Sequence, residues 1–254
     1  MKNVREKRPL VHHITNYVTV NDCANVTICA GGSPVMSDEA EDIVDITKIA
    51  SAVVLNMGTL NKRTVDSIIL SGKIANENGI PVVFDPVGAG ASAYRNLVAD
   101  RVLTEVKVDV IKGNAGEIGV LSGVGGEVRG VDSVSSNNEK EATEALARKY
   151  GCVVAMTGET DYVSDGNRTI TLRNGHMMME CVSGTGCMAS SVVGCYVGAN
   201  GVSVDSVAAA ISAFSIAGEL AVPASKGPGT FKMSLLDSLF NLTAEQFDSM
   251  RKAE

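Results

Sequence analysis

A glycine-rich turn near residue 184 has the clearest chemical capacity in this sequence. Residues 179–194, MECVSGTGCMASSVVG, predict a polar turn followed by a helix that begins near Thr185 or Gly186. Glycine lets the backbone approach an anion closely, and the first amide N–H groups of a helix have no partner inside the helix. We therefore expect an anion-binding turn here, although a tight turn before a buried helix would explain the glycines equally well.

An acidic residue ends the apolar segment PVVFD. In open parallel sheets, ligands bind at the carboxyl ends of the strands, so Asp85 is placed to hold Mg²⁺ through water. Taken alone, an Asp before Pro86 is more simply a turn residue.

The next apolar segment, VDVIKGN, ends in Lys112 and Asn114, and Glu117 falls in the first turn of the helix that follows. Taken alone, Asn114 and Glu117 are a capping box at a helix start. Taken with Asp85, Thr157 and the turn at residue 184, they place two carboxylates, a cation and an anion-binding turn at one edge of a sheet. Phosphoryl transfer needs these groups, because it depends on a metal, a positive charge and oriented amide donors.

The elements that must position these residues alternate along the chain from residue 51. Apolar runs rich in Val and Ile are separated by helical segments, a pattern typical of parallel strands covered on both faces. The predicted fold class is therefore α/β, a three-layer α/β/α sandwich with a mostly parallel central sheet. The predicted elements in this part are strands at 51–58, 81–85 and 108–114, and helices at 61–78, 94–107 and 139–150.

The last hundred residues change character. After the apolar strand CVVAMTG, residues 161–176 predict a hairpin that turns at Asp165 and Gly166, so the sheet gains antiparallel strands late. Two long helices rich in Ala, Gly and Ser are expected between Thr185 and Val222. A final helix is expected over about 232–250.

Length and composition predict one globular domain over residues 1–254. A chain of 254 residues with 45% hydrophobic and 20% charged residues can bury a large core without disulfides or a structural metal. Residues 122–138, rich in Gly and Ser and without periodicity, predict a mobile surface loop inside the α/β series and not a domain boundary.

Charge and cysteine usage exclude several functions. The net charge is −7, there is no Lys/Arg-rich run and there are ten aromatic residues, so we expect no nucleic-acid partner. The six Cys form no CxxC pair and the three His lie outside zinc-ligand spacing, which indicates reduced thiols in a cytoplasmic protein. The first residues contain no apolar signal segment and no stretch reaches membrane-spanning length, so no membrane association is expected.

Two segments match the dinucleotide fingerprint GxGxxA, beginning at Gly88 and Gly184. The strand after the first ends in Lys112 and not in an acidic residue, and the helix after the second leads to another helix. These contexts argue against NAD binding. A catalytically inactive nucleotide-binding protein would be expected to lack Asp85, Glu117 or the turn at residue 184, and all are present.

Eight sequence blocks, in this order and spanning about residues 9 to 232, resemble the hydroxyethylthiazole kinases of the ribokinase-like superfamily. The resemblance implies ATP- and Mg²⁺-dependent phosphorylation of the primary hydroxyl of 4-methyl-5-(2-hydroxyethyl)thiazole in thiamin salvage. It also implies a homotrimer with active sites at the subunit interfaces. A related kinase acting on another alcohol, such as hydroxymethylpyrimidine or pyridoxal, is the alternative. The blocks are PLVHHITNYVTVNDCAN, GGSPVMSDEAED, VLNMGTL, FDPVGAGAS, KGNAGE, MTGETDYV, VSGTGC and KGPGTF.

The resemblance also assigns roles to individual residues. The residues implied to bind the thiazole are Met36, Gly184, Asn16, Val18, Gly58 and Thr59. Those implied to contact ATP are Lys112, Thr157, Asn114 and Gly186, with Lys112 standing where many relatives carry Arg. Asp85 and Glu117 match the acidic residues near the metal.

Cys187 matches the position at which many other ribokinase-like enzymes carry an Asp base. A free thiol is mostly protonated at neutral pH, so it is a weak base unless the helix N-terminus lowers its pKa, as we expect here. Phosphoryl transfer through a loose transition state demands little early proton removal, so a weak base suffices. The alternative is an inert, packed Cys.

Overall fold

Eight β-strands form one sheet in the computed structural model, which describes residues 2–123 and 136–254. The strand order across the sheet is β2-β1-β3-β4-β5-β6-β7-β8. Strands β1 to β6 pair in parallel, whereas β6–β7 and β7–β8 pair antiparallel. The strands are β1 Leu10–Ile14, β2 Ser33–Met36, β3 Ala52–Asn56, β4 Val82–Asp85, β5 Val110–Asn114, β6 Val153–Thr157, β7 Asp161–Ser164 and β8 Thr169–Leu172.

Eleven α-helices within the described residues cover the two faces of the sheet. They are α1 Lys2–Lys7, α2 Val20–Ala30, α3 Ala40–Ile49, α4 Lys62–Glu77, α5 Ala93–Glu105, α6 Ala115–Ser122, α7 Ser136–Tyr150, α8 Thr185–Asn200, α9 Val204–Ala221, α10 Pro228–Asn241 and α11 Ala244–Met250. Single 3₁₀ turns occupy Met177–Cys181 and Val222–Ala224.

Alternation along the strands divides the core between two faces. In β3, Val54 packs with α8 and α9, whereas Val53 and Leu55 pack on the opposite face with α4 and α5. Both sets are buried, because every strand residue from Ala52 to Asn56 is covered. The expected three-layer α/β/α sandwich with a mostly parallel sheet is confirmed.

The strand order creates a crevice at the carboxyl ends of β1 and β3. From β1 the chain crosses to β2 on one side and then returns to β3 on the other, so the connections leave in opposite directions. Ligands of open parallel sheets bind at such switch points. The segments that follow β1 and β3 are therefore expected to border a site.

The structure has two strands before residue 51, where the sequence pattern predicts none. β1 contains His12 and His13, whose buried rings bond to Thr47 Oγ1 and to the Val11 carbonyl, so polar residues occupy core positions. β2 is a short edge strand with Pro34, an arrangement that only an edge accommodates.

The predicted final helix over 232–250 is wrong in its continuity. α10 ends at Asn241 and α11 begins after Thr243, whose hydroxyl accepts from the Gln246 amide in a capping box. The Ser/Thr-type cap satisfies a new helix start, and this separates the two helices. Most of the loop predicted over 122–138 lies outside the described residues.

The predicted hairpin at Asp165 and Gly166 is confirmed, and the C-terminal residues extend it. Thr171 and Glu254 exchange backbone hydrogen bonds of 2.9 and 3.0 Å, and the Arg173 amide donates to the Lys252 carbonyl at 3.0 Å. The tail thereby covers the free edge of β8.

One helical segment, Val204–Ala224, is long and apolar enough to cross a membrane by length and composition. Two thirds of its apolar window, 67%, is buried inside the protein. α9 packs against α8 and α10, as a core helix does.

Candidate active site

A cavity of about 790 Å³ opens at the carboxyl edge of the sheet. Its wall includes residues from β4, β5, β6 and the start of α8, so segments that are a hundred positions apart in the chain meet here. Eight of the predicted site residues line it: Asp85, Lys112, Asn114, Glu117, Thr157, Gly184, Gly186 and Cys187.

The turn before α8 has the geometry expected of an anion site. Gly184 is the N-cap, has φ +86° and makes no side-chain cap hydrogen bond. A Cβ at this position would lie 2.3 Å from Thr19 Cγ2, so only glycine fits. The first-turn amides of α8, which have no intrahelical partner, belong to residues that line the cavity. Lys112 Nζ donates to the Gly186 carbonyl at 3.2 Å and places a positive charge beside them.

Asp85 is the buried carboxylate of this rim. Its Oδ2 accepts from Ser190 Oγ at 2.7 Å and from Asn56 Nδ2 at 3.0 Å. The pKa of Asp85 is raised to about 6, chiefly by burial and also by the nearby Glu117, and the Lys112 ammonium opposes both. A bound cation would remove this penalty on the charged carboxylate.

Glu117 joins two loops through its two carboxylate oxygens. Oε2 accepts from the Asn114 amide at 2.8 Å, which completes the predicted capping box with Asn114 Oδ1. Oε1 accepts from the Gly88 amide at 2.8 Å, in the loop after β4. Asn114 and Glu117 therefore cap a helix and also line the cavity. The capping interpretation and the functional-site interpretation left open by the sequence are compatible.

The donor set fits a weakly chelated Mg²⁺. Mg²⁺ keeps several waters and takes one or two carboxylates together with phosphate oxygens. Asp85 uses a single oxygen for its hydrogen bonds and lines the cavity with Glu117. Within the described residues, no cluster of three or more His, Cys, Asp or Glu side chains could hold a metal by itself. A bound Mg²⁺ would therefore need phosphate oxygens and water molecules for much of its coordination.

Cys187 lies in the first turn of α8 and is 8% exposed. Its sulfur accepts from Asn56 Nδ2 at 3.2 Å and from Asn16 Nδ2 at 3.4 Å. The expectation that the helix N-terminus lowers the pKa of the Cys187 thiol is wrong. Burial and the adjacent Asp85 raise the pKa of Cys187, and the amide donors only partly oppose them.

Asn56 is the residue that sequence reasoning missed. It ends β3, is 1% exposed, and its amide nitrogen bonds both the Asp85 carboxylate and the Cys187 sulfur. Its Oδ1 accepts from Asn16 Nδ2 and from the Gly58 amide, each at 2.9 Å. A buried Asn at the carboxyl end of an otherwise apolar strand was the available signal.

The five other predicted residues lie around the mouth of the β1/β3 crevice. Asn16 bonds Asn56 and Cys187, and Gly58 packs so closely on Asn16 that a Cβ would lie 2.7 Å from its side chain. Thr59 Oγ1 accepts from the Tyr17 amide at 3.3 Å. Val18 is 59% exposed, and Met36 ends β2 beside His13. Among the described residues, none of these five lines the large cavity.

The far side of the cavity contains a second residue that the sequence did not reveal, the carboxylate of Asp161. Asp161 is 5% exposed, lines the cavity and accepts from the Gly158 amide at 3.0 Å. Burial raises its pKa to about 7, opposed by the Gly158 N–H and the Lys112 charge. Its signal was an acidic residue just after the strand that ends in Thr157.

The cavity ends in an apolar wall formed by Met179, Ile211 and Phe214. Glu219 supports this end, because its Oε1 accepts from Asn174 Nδ2 at 3.1 Å and from the Gly175 amide at 3.0 Å. The cavity lining thus combines charged groups at the strand ends with apolar side chains suited to a flat group.

The model of the hydroxyethylthiazole kinase family matches residues 1–245. The chain belongs to the hydroxyethylthiazole kinase family. A hydroxyethylthiazole kinase of Methanocella arvoryzae is 51% identical over 247 residues, covering 97% of this chain and 93% of that relative. One of Methanocorpusculum labreanum is 53% identical over 245 residues, covering 96% and 92%.

Superposition on solved structures shows that this chain has a ribokinase-like fold. The hydroxyethylthiazole kinase protein of Pyrococcus horikoshii superposes with a TM-score of 0.92 at 40% identity, covering 100% of this chain and 96% of that chain. A ribokinase-like superfamily protein of Enterococcus faecalis gives 0.66 at 11% identity, covering 91% and 86%. The pyridoxal kinase of Staphylococcus aureus, solved with AMP-PCP and pyridoxal, gives 0.64 at 15% identity, covering 83% and 87%. The last two share the fold alone.

Proposed function

We propose that this protein phosphorylates the primary hydroxyl of 4-methyl-5-(2-hydroxyethyl)thiazole with ATP as the phosphoryl donor, the kinase step of thiamin salvage. The observation that carries the proposal is that Asp85, Lys112 and Cys187 line one cavity with the N-terminus of α8. Transfer of a phosphoryl group needs positioning and charge stabilisation more than covalent chemistry from the protein. Family membership selects the thiazole alcohol among small acceptors.

The nucleotide would lie along the cavity with its phosphates at the charged end. Lys112 acts as a point charge on the phosphates, and the free amides at Gly186 and its neighbours bind the transferring group. Asn114 and Thr157 follow adjacent strands and contact the same phosphates. A Lys lacks the two-pronged geometry of Arg, so we expect weaker nucleotide affinity than in relatives with Arg.

Asp85 and Glu117 would hold Mg²⁺ beside these phosphates. When bound, the ion neutralises charge on the phosphate oxygens and orients them. Glu117 is fixed by two backbone amides, so its position does not depend on the ligand.

Cys187 accepts the proton of the attacking hydroxyl. It can do so only as the thiolate, which its raised pKa keeps scarce, and a loose transition state tolerates this because little proton removal precedes bond breaking. Asn16 and Asn56 hold the sulfur from two sides and fix where the hydroxyl meets it.

The acceptor pocket is assigned to the β1/β3 crevice, where Asn16, Val18, Gly58 and Thr59 gather, with Met36 and Gly184 completing it. Tyr17 and Val18 are 77% and 59% exposed in one chain. Covering such apolar side chains beside a site is a reason for association. We propose a homotrimer in which the pocket is completed at the subunit interface.

The proposals on domain organisation, cellular location and partners are those that the sequence predicts. We propose one domain over residues 1–254 that acts in the cytoplasm on small molecules, without a nucleic-acid or membrane partner. Within the described residues all six Cys are free thiols, four of them buried, which accords with a reducing compartment.

The test is ADP formation with the thiazole alcohol, hydroxymethylpyrimidine and pyridoxal, each with and without Mg²⁺. We expect kcat/KM for the thiazole alcohol to exceed the others by at least about 100-fold and ADP formation to require Mg²⁺. Faster turnover of pyridoxal or hydroxymethylpyrimidine would overturn the substrate, and nicotinamide binding without phosphorylation would overturn the class of reaction.

A further inference from the structure

Arg95 lies between two loops of the site and binds no acidic side chain in the described part of the chain. Its Nη1 donates to the carbonyls of Met57 at 2.9 Å and Val87 at 2.6 Å, and its Nη2 donates to the carbonyl of Gly58 at 2.8 Å. Within the described residues, no carboxylate lies within ion-pair distance of this guanidinium. Three backbone carbonyl groups therefore stabilise the positive charge of the Arg95 guanidinium.

The two loops come from different strands. Met57 and Gly58 follow β3, and Val87 follows β4 by two residues. One backbone hydrogen bond links the two segments: the Met57 amide donates to the Asp85 carbonyl at 3.2 Å. Arg95 thus adds the side-chain link between them.

Each loop continues directly into the candidate site. The Gly58 amide donates to Asn56 Oδ1, which positions the amide that bonds Asp85 and Cys187. The amide of Gly88, next to Val87, donates to Glu117 Oε1. A displacement of either loop would move an acceptor-side residue or a metal-side carboxylate.

The helix start and the loop shape place the guanidinium between these carbonyls. Ser92 is the N-cap of α5 and accepts from the Arg95 amide at 3.2 Å, so Arg95 occupies a defined position in the first turn. Gly88 has φ +74°, and a Cβ there would lie 3.2 Å from the guanidinium. The loop packs on Arg95 without room for a side chain.

We propose that Arg95 is a positioning residue for phosphoryl transfer, which couples the acceptor loop after β3 to the metal-side loop after β4. The proposal rests on the proposed function for its kinetic consequences, because Arg95 is not among the residues that line the cavity. The planar fork of Arg serves carbonyls on both loops, whereas a Lys ammonium is a single point.

The test compares Arg95→Ala and Arg95→Lys with Arg101→Ala. Arg101 lies on the same helix, and its ion pairs with Glu105 and Asp66 are exposed, so it is the matched control. We expect kcat/KM for the thiazole alcohol to fall about 10- to 100-fold in Arg95→Ala, mostly through a higher acceptor KM. We expect partial recovery in Arg95→Lys and no change in Arg101→Ala. KM for ATP should change less than the acceptor KM, because Glu117 keeps its second hydrogen bond, from the Asn114 amide, when the loop after β4 moves.

Two further measurements separate positioning from loss of folding. Millimolar guanidinium chloride should restore part of the activity of Arg95→Ala and leave Arg95→Lys unchanged. Amide hydrogen exchange at Gly58 and Gly88 should be faster in Arg95→Ala, with the thermal midpoint within a few degrees of wild type.

Unchanged exchange at both glycines, or an equal loss in Arg101→Ala, would overturn the role of Arg95. A wild-type protein inactive on the thiazole alcohol would overturn the proposed function instead. The exchange comparison still decides the role of Arg95 in that case, because it needs no substrate.

Discussion

The two sides of the cavity are built by different means. The acceptor side is the side next to the β1/β3 crevice. Its buried side chains bond to one another, and they are Asn16, Asn56, Asp85 and Cys187. On the opposite side, the lining includes Asp161 of β7 and residues 173–175 after β8, which are held by a β-hairpin whose edge is covered by the C-terminal tail through backbone hydrogen bonds.

This difference predicts unequal sensitivity to substitution. A buried side-chain network has few alternative partners, so one truncation leaves polar groups unsatisfied. A backbone ladder is supported by many residues and loses little when one side chain changes. The acceptor side should therefore carry the large single-residue effects.

The largest effect is expected from Asn56→Ala. Loss of the amide removes donors to Asp85 and Cys187 and an acceptor for Asn16 and Gly58. We expect kcat/KM to fall about 100- to 1000-fold, the range found when one oriented donor is lost from a site. Steady-state kinetics measure it.

Asn76→Ala is the matched control, because Asn76 is a half-buried Asn that bonds the Lys107 backbone and does not line the cavity. A folded Asn56→Ala protein with activity within a few-fold of wild type would show that the network does not position the reacting groups.

Cys187→Ala should lower kcat about 100-fold, because no proton acceptor remains at the α8 N-terminus. Cys187→Asp should preserve or raise kcat, since a carboxylate is mostly in its basic, unprotonated form at neutral pH whereas the thiol is mostly protonated. Single-turnover rates separate this step from product release. Complete loss in a folded Cys187→Asp protein would contradict the base assignment and leave the sulfur as a packing group.

The acceptor side also depends on β1, where burial lowers the pKa of His13 from 6.5 to about 4, only partly opposed by its bond to the Val11 carbonyl. Above pH 6.5 the ring is neutral in both folded and unfolded states, and the stability is fully present. As the pH falls, the unfolded chain binds the proton first, so stability is lost progressively between pH 6.5 and 4. At about 1.4 kcal/mol per pH unit, the loss approaches about 3 kcal/mol.

Urea denaturation at several pH values measures this slope at constant protein concentration. His13→Gln has no titrating ring, so its free energy of unfolding should decline less steeply with acid than that of wild type. Equal slopes in the two proteins would assign the acid sensitivity to other groups, such as His12, whose pKa burial also lowers.

The smallest effect is expected on the hairpin side. Deleting residues 251–254 removes the backbone pairing with β8 and the Lys252 contact to Glu219. We expect a modest loss of thermal stability and a rise in KM for ATP of no more than about fivefold, with acceptor KM unchanged. Thermal melts and ATP titrations measure both. A larger effect here than at Asn56 would reverse the comparison between the two sides.

Much of the rim follows from the sequence because the strands are continuous apolar runs. A polar residue at the end of such a run is placed at the sheet edge by the strand itself, as Asp85 and Thr157 show. Glycine at residue 184 likewise follows from a local requirement, a positive φ before a helix. These placements need only local patterns and the rule that parallel strands end at one edge.

Asn56, Asp161 and Arg95 could not be assigned in this way. Their significance depends on which strands are neighbours and which atoms their side chains reach, and neither is visible in composition or periodicity. The strands β1 and β2 were missed for a related reason, because buried His rings with satisfied hydrogen bonds contradict the apolar pattern of a core strand.

The sequence by itself determined the α/β layers, the strands from residue 51 onward and the group of charged residues at one edge. It did so because burial of alternating apolar runs leaves few arrangements. Only the tertiary structure decided that Cys187 is held by two amides with a raised pKa, and that a guanidinium links two loops of the rim. Those properties depend on distances between side chains far apart in the chain, and on how far each is removed from water.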